Sequence, residues 1–449
     1  MSAQSNNKSE NMLQIPDDPF CDPKRPVAVT FEDITSAAYK IRSGIKITPC
    51  ERSHLSDITG VDLWMKKDSL QHTGSFKERG ARYAMLMLND QERKKGVIAA
   101  SLGNHAQAVS YHGYLLGIPV TVVMPLIAPI MKIEKCREYC AQVVIEGKDM
   151  NEAKKVASRI SKEQGLTYIN GYDHPHIIAG QGTIALEILE QVQDIDAILV
   201  PTGGGGLLAG VSVAVKMLNP KIKVIGVESD RCASFSKAIA NGGPQSTIIE
   251  GTLADGLAVP QVGYNAWETC KNLYDKMVVV SEEWIALAIL RFIENEKSVV
   301  EGAGACGLAA ILAGQLEELK GKRVVLILSG GNIDTTILGR CLERGLAADG
   351  RLVKCRVTVS DRPGGINELC KLLGSIGVSI KDILHERAWI ASDVFSVEVI
   401  VVCETRDYSH SVELYNLLQS KYEKFKFENF PERDRLGKTC KILSIKSKL

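Results

Sequence analysis

Residues 197–210 read "AILVPTGGGGLLAG". The first five are apolar and strand-length, and the run stops at Pro201 and Thr202. Gly203, Gly204, Gly205 and Gly206 follow, and Leu207 opens a helical pattern. Consecutive glycines let successive backbone N–H groups converge on one anion just before a helix start, the geometry of a phosphate cradle. A dinucleotide reading competes, because Gly204-x-Gly206-x-x-Ala209 followed by Glu228 at the end of the next strand also satisfies that fingerprint.

Outward from this stretch the same punctuation repeats. "GVIAAS" (96–101), "PVTVVMP" (119–125), "QVVIEG" (142–147), "KVIGVES" (223–229) and "RVVLILSGG" (323–331) are short runs ending at Gly, Ser or Pro, with helical patterns between. From about residue 61 to 340 this predicts an α/β fold, a mostly parallel sheet with helices on both faces. Ligands of such sheets sit outside the carboxyl ends of the strands, so chemistry is sought there. After "LAADGRL" (346–352) the pattern changes to alternating strands and two helices, which predicts a separate small α+β module.

The chain has 449 residues, 45% of them hydrophobic, more than one domain usually holds, so two or three domains are expected. Lys plus Arg (54) nearly balance Asp plus Glu (53), which leaves no field to draw nucleic acid or an anionic membrane. No apolar run is long enough to span a bilayer, so a small-molecule partner is expected. Residues 1–30 read as a disordered leader without the marks of a signal or transit peptide. The 12 cysteines form no framework of close pairs, and Cys136 with Cys140 would share a helix face, so reduced thiols in a cytoplasmic protein are expected.

Three further segments carry chemistry. "TGSFKERGA" (73–81) puts Lys77 at a helix start, where the positive end of the dipole disfavours its charged form and helps an amine condense with an aldehyde. "ASLGNHAQ" (100–107) is a strand-to-helix turn whose free N–H groups, with Ser101 and Asn104 beside them, suit a carboxylate. "LILSGGN" (326–332) ends a strand with Ser329, a neutral hydroxyl. Taken singly, each has a plain structural reading: a solvated lysine, an Asn N-cap, a turn. Together they discriminate, because a nicotinamide enzyme has no use for Lys77, whereas an aldehyde cofactor needs both a lysine and a phosphate cradle.

"SFKERGA", "SLGNHAQAVS", "PTGGGGLLAG", "VEGAGACGLAAIL" and "LSGGN" together resemble the fold-type II pyridoxal-phosphate enzymes, in the threonine dehydratase and serine racemase branch. The resemblance runs from about residue 31 to 345. It implies two open parallel-sheet subdomains, the smaller at about 65–165 inserted in the larger. It also implies that Lys77 joins the cofactor's aldehyde, Phe76 packs near its ring and Asn104 bonds its 3′ oxygen. Gly203 to Leu207 would hold the phosphate and Ser329 would face the pyridine nitrogen. Ser101, Gly103 and His105 would bind the substrate carboxylate, with Gly256 and Glu301 nearby.

A neutral partner at the pyridine nitrogen weakens the electron sink and favours loss of the β-hydroxyl, hence ammonia release from threonine or serine to give a 2-oxo acid. Serine racemization is the alternative. Racemases of this branch carry a Ser before the Gly-Asn-His, and here Leu102, which cannot relay a proton, stands there. A catalytically silent amino-acid or cofactor-binding protein is a further alternative, and β-replacement is disfavoured by the "SLGNHAQ" loop. Glu228 matches one acid of the branch's cation site, but Ser234 stands where the second is expected, so no metal is assigned. Residues 350–430 look like an ACT domain, a βαββαβ module that binds amino acids, with Asp361, Gly364 and Gly365 in the turn that meets the effector; 431–449 form a tail. A homo-oligomer, dimer or tetramer, is expected.

Overall fold

The computed structural model describes residues 18–387 and 394–428. A six-stranded sheet runs in the order Cys50–Arg52, Asp62–Lys66, Arg323–Ile327, Ala197–Pro201, Lys223–Ser229, Lys276–Val280, all parallel except the first. Its strands read as continuous apolar runs because both faces are covered. Ile198, Val200, Val224, Val325 and Ile327 enter the core under helices Pro175–Gln191 and Gly206–Leu218. The alternate residues Ala197, Leu199, Ile225, Val324 and Leu326 enter a second core with Glu282–Glu296 and Gly302–Leu312.

A second, parallel sheet has the order Gln142–Ile145, Val120–Met124, Val97–Ala100, Thr167–Tyr168. The inserted unit therefore differs from the expected 65–165. Lys66 pairs with Cys50 and Ile327 in the large sheet, and Thr167 and Tyr168 pair with Val97 and Ile98 in the small one.

The segment expected to be a disordered leader up to residue 30 is docked from Asp18 onward. The N–H groups of Val27 and Val29 donate to Asn265 Oδ1 (2.7 Å) and Thr269 Oγ1 (3.0 Å), and Cys21 and Val29 are buried. Its polar composition hides these two apolar anchors. The rest of that leader and the tail at 431–449 lie outside the described residues.

The C-terminal module has the expected βαββαβ order. Its antiparallel sheet runs Ser379–Glu386, Ser396–Glu404, Leu352–Ser360, Phe425–Glu428, with helices Gly365–Ser375 and Tyr408–Lys421. Val353, Cys355, Val357 and Val359 alternate into its core, the period of two read from the sequence. A ring of ion pairs joins the module to the catalytic body: Arg351 to Glu294 (2.5 Å) and Asp349 (2.8 Å), and Arg291 to Glu294 (2.8 Å) and Asp349. Among the described residues, no helix is long and apolar enough to cross a membrane.

Candidate active site

The helix Lys77–Leu86 begins after a turn that needs Gly74 at φ +77°. That turn is stitched to the end of the Arg323–Ile327 strand. Phe76 N–H donates to Ser329 O (3.0 Å), Gly331 N–H to Gly74 O (3.0 Å), and Ser75 bridges Gly330. Two residues past Lys77, the fully buried Arg79 donates twice to Asp68 (2.6 and 2.8 Å) and twice to Glu187 (2.6 and 2.9 Å). These bidentate, charge-assisted bonds fix the first turn of the helix.

Lys77 Nζ donates to Gly171 O at 2.5 Å and lies 5.2 Å from the centroid of the Phe76 ring. Burial pushes its pKa down to about 8, against the opposing pull of Glu301. Its neutral form is therefore populated in a range where an exposed lysine is almost wholly charged.

Asn104 arrives from the small subdomain. Its Nδ2 donates to Glu301 Oε1 (2.8 Å), and its Oδ1 accepts from Asn332 Nδ2 (2.8 Å), which also donates to Thr73 O (2.7 Å). Burial, with Asp255 next in effect, raises the Glu301 carboxyl to about 7. A Cβ on Gly330 would stand 2.3 Å from Glu301 Oε1, and one on Gly256 3.4 Å from it. Lys77, Asn104, Gly256, Glu301 and Ser329 thus meet in one place.

The helix Asn104–Leu116 starts at Gly103 without a side-chain cap, and the N–H groups of Asn104, His105 and Ala106 find no acceptor among the described residues. Ser101 Oγ accepts from Gly103 N–H at 3.3 Å, and a Cβ on Gly103 would meet open space. The His105 ring packs under Gly171 with Nε2 3.0 Å from Ile169 O. A carbonyl only accepts, so Nε2 carries the proton and the buried Nδ1, which has no partner among the described residues, presents a lone pair. Burial, then Lys77, lowers the ring's pKa to about 3 and keeps it neutral. The ring therefore has no donor left for a carboxylate; the His105 main-chain N–H does.

The glycine loop has Gly205 at φ +91° and enters the helix Gly206–Leu218 with no side-chain cap. The N–H groups of Gly203 to Leu207 find no acceptor among the described residues. Tyr172 backs the loop so closely that a Cβ on Gly204 would fall 2.3 Å from its ring and one on Gly206 2.2 Å from its carbonyl oxygen. The dinucleotide reading loses its acid here. Both Glu228 oxygens are occupied, one by Phe235 N–H (2.6 Å) and the other by Ser236 N–H and Oγ (2.8 and 2.7 Å), so the carboxylate caps a helix.

In the C-terminal turn, both carboxylate oxygens of Asp361 accept from Arg387 Nε (2.9 Å each). Gly364 holds φ +106° with open space around it, and a Cβ on Gly365 would fall 2.0 Å from Ser360 O. Sequence reasoning assigned no role to Gly171 or Asp255, nor to the Asn332 that closes "LSGGN". It also missed the cross-subdomain pair of Lys132 with Asp255 (3.2 Å), since only the fold brings these residues together.

A model of the family described as "Pyridoxal-phosphate dependent enzyme" matches residues 41–330. The L-threonine ammonia-lyase of Thermotoga maritima is 41% identical over 394 residues, which cover 88% of this chain and 98% of that protein. Among solved structures, the processed form of threonine deaminase isoform 2 from Solanum lycopersicum is 36% identical, with a TM-score of 0.67, over 71% of this chain and 95% of that one. Maize serine racemase is 33% identical, also with a TM-score of 0.67, over 71% of this chain and 98% of that one.

Proposed function

The chain belongs to the pyridoxal-phosphate dependent enzymes, and from that premise we propose that it is an L-threonine ammonia-lyase that also accepts L-serine. The observation that carries this reading is Lys77, an amine lowered to about 8 at the meeting point of the two subdomains, beside the Asn104–Glu301 pair. The residues present fit the cofactor: a row of N–H groups from Gly203 to Leu207, unpaired among the described residues, would hold its phosphate, and Phe76, Asn104 and Ser329 would hold its ring. When bound, pyridoxal phosphate supplies the aldehyde that joins Lys77 and a ring that takes up electrons.

The chain's own residues do the rest. The neutral Lys77 amine takes the proton from the substrate's Cα. The N–H groups of Asn104, His105 and Ala106, with the Ser101 hydroxyl, hold the substrate carboxylate, and Gly103 leaves room for it. Asn104 and Glu301 form one hydrogen-bonded unit through which the small subdomain is oriented. Leu102 offers no proton to the opposite face of Cα, so inversion has no donor there, and the β-hydroxyl leaves as water with the proton that Lys77 took from Cα. Water returns on hydrolysis, and ammonia and a 2-oxo acid depart.

The C-terminal module, by this proposal, binds an amino acid at Asp361 to Gly365 and biases the catalytic body toward one of two states. The enzyme works in the cytoplasm as a homo-oligomer; all 11 cysteines among the described residues are free, which supports a reducing compartment.

Purified protein should be yellow and form 2-oxobutanoate from threonine and pyruvate from serine. Lys77→Ala should lose the colour and lower turnover by about 10⁴-fold, the scale of a missing base. Appreciable D-serine from L-serine would replace this reading with racemization.

A further inference from the structure

Tyr172, which backs the glycine loop, also lines a cavity of about 80 Å³ that none of the catalytic residues lines. Its walls come from three places: Asp18 of the docked N-terminal segment, Asn151 and Lys154 of the helix Met150–Gln164, and the loop carrying Gln261, with Tyr168 and Tyr172 between. One water needs ~10–15 Å³ of such space, so the cavity has room for a molecule of several heavy atoms.

Of the charged side chains in its lining other than Asp173, none of which has an ion pair among the described residues, Asp18 is buried, Lys154 half-buried and Lys155 exposed, and the two enclosed ones are unspent. Lys154 Nζ lies 5.8 Å from the centroid of the Tyr172 ring and has no ion pair or hydrogen bond with any described residue. Burial alone pushes its pKa below the usual lysine range. Asp18 is 8% exposed; its Oδ1 accepts from Phe20 N–H (3.0 Å), the Cys21 thiol also donates toward its carboxylate, and the buried Oδ2 has no partner among the described residues. An unpaired buried carboxylate oxygen and an unpaired ammonium are each costly. The neighbouring acid does not relieve Lys154, because Asp173 spends both oxygens on the N–H groups of Ala266 (2.9 Å) and Tyr264 (3.0 Å).

We propose that this cavity is a second small-molecule site, separate from the active site and from the C-terminal turn, for a zwitterion of the α-amino-acid class. The ligand's carboxylate pairs with Lys154 and its ammonium with Asp18 Oδ2, with Asn151 and the tyrosine hydroxyls as polar neighbours. A simple anion would leave Asp18 unanswered, and a simple cation would leave Lys154 so. An occupant would also press on Tyr172, whose ring and carbonyl back Gly204 and Gly206. Occupancy is therefore felt at the glycine loop.

The test is calorimetric titration of the full-length holoenzyme with L-alanine, acetate and methylamine, repeated on Lys154→Gln, Lys154→Arg and Asp18→Asn. We expect one class of L-alanine sites to weaken by about tenfold or more in Lys154→Gln and in Asp18→Asn, the loss of one charged hydrogen-bond partner. The same class persists in Lys154→Arg. Turnover of threonine stays within about twofold in all three variants, as for changes outside the catalytic machinery. The thermal midpoint of each variant separates a folding defect from a lost site. Alanine isotherms unchanged in both Lys154→Gln and Asp18→Asn would overturn the proposal. So would acetate binding as tightly as alanine and surviving Asp18→Asn, which would make the cavity a plain anion site.

Discussion

The lysine pocket and the C-terminal turn are both glycine-bearing turns at helix starts, yet they are held in opposite ways. Lys77 stands in a wall where Arg79, Asp68, Glu187 and Lys66 are locked together with little solvent contact. Asp361 pairs, among the described residues, with Arg387 alone, and that arginine is 60% exposed. A deep ionic network holds one geometry because every partner is spoken for, whereas a single exposed pair costs little to rearrange. The first arrangement suits a group that must stay aimed at a reacting carbon, and the second suits a turn that changes with an effector.

The sharpest way to break this contrast is Arg79→Met. It strands the buried Asp68 carboxylate without its bidentate partner, and breaking such a pair costs ~3–5 kcal/mol. Urea unfolding of the holoenzyme should show a loss of that order, along with weaker retention of the yellow cofactor, since the first turn of the Lys77 helix is no longer pinned. A variant as stable as the parent would mean that the apolar core, not the ion network, holds the wall.

Glu301→Gln tests the chemistry inside that wall with a smaller effect. The carboxyl, raised to about 7, is ionised above that pH and protonated below it. As the acceptor of Asn104 Nδ2 it works ionised, so kcat/KM for threonine should fall as pH drops through about 7. The glutamine keeps an acceptor oxygen but cannot titrate. A loss of about tenfold in rate, ~1.4 kcal/mol in the barrier, with the acid-side inflection gone, is the expected outcome. An inflection that survives in the variant would assign it to another group.

The same contrast explains what the sequence disclosed. Elements whose signal is local were legible: the strands Lys223–Ser229 and Val97–Ala100 stand where the patterns placed them. Lys77, Asn104, Ser329 and the four glycines were legible because each sits at a strand-to-helix or strand-to-turn junction with a local signature. Their partners were not. Lys77 meets a carbonyl 94 residues away, Asn104 a carboxylate 197 away and an amide 228 away. No period or propensity encodes such distances; packing does. The His105 ring illustrates the same limit. Its presence beside a carboxylate-binding turn pointed to a donor, but the carbonyl of Ile169 consumes the one proton it carries.

The smallest expected effect lies at the other pole of the comparison. Asp361→Ala removes an exposed pair with Arg387, worth ~0.2–1 kcal/mol, so the thermal midpoint should barely move. Threonine turnover without effector should stay within about twofold, since the turn shares no contact with the lysine pocket. Its one large consequence should be regulatory: in titrations with isoleucine, valine and serine, the midpoint of whichever amino acid alters the parent enzyme should rise by about tenfold or more, the loss of a charged partner. Such a split, silent in stability and basal rate but loud in the effector response, is what a sensing turn requires and what a merely structural turn would not produce. If the response is instead unchanged, the effector sits elsewhere on the chain, and the exposed Asp361–Arg387 pair is only a surface contact.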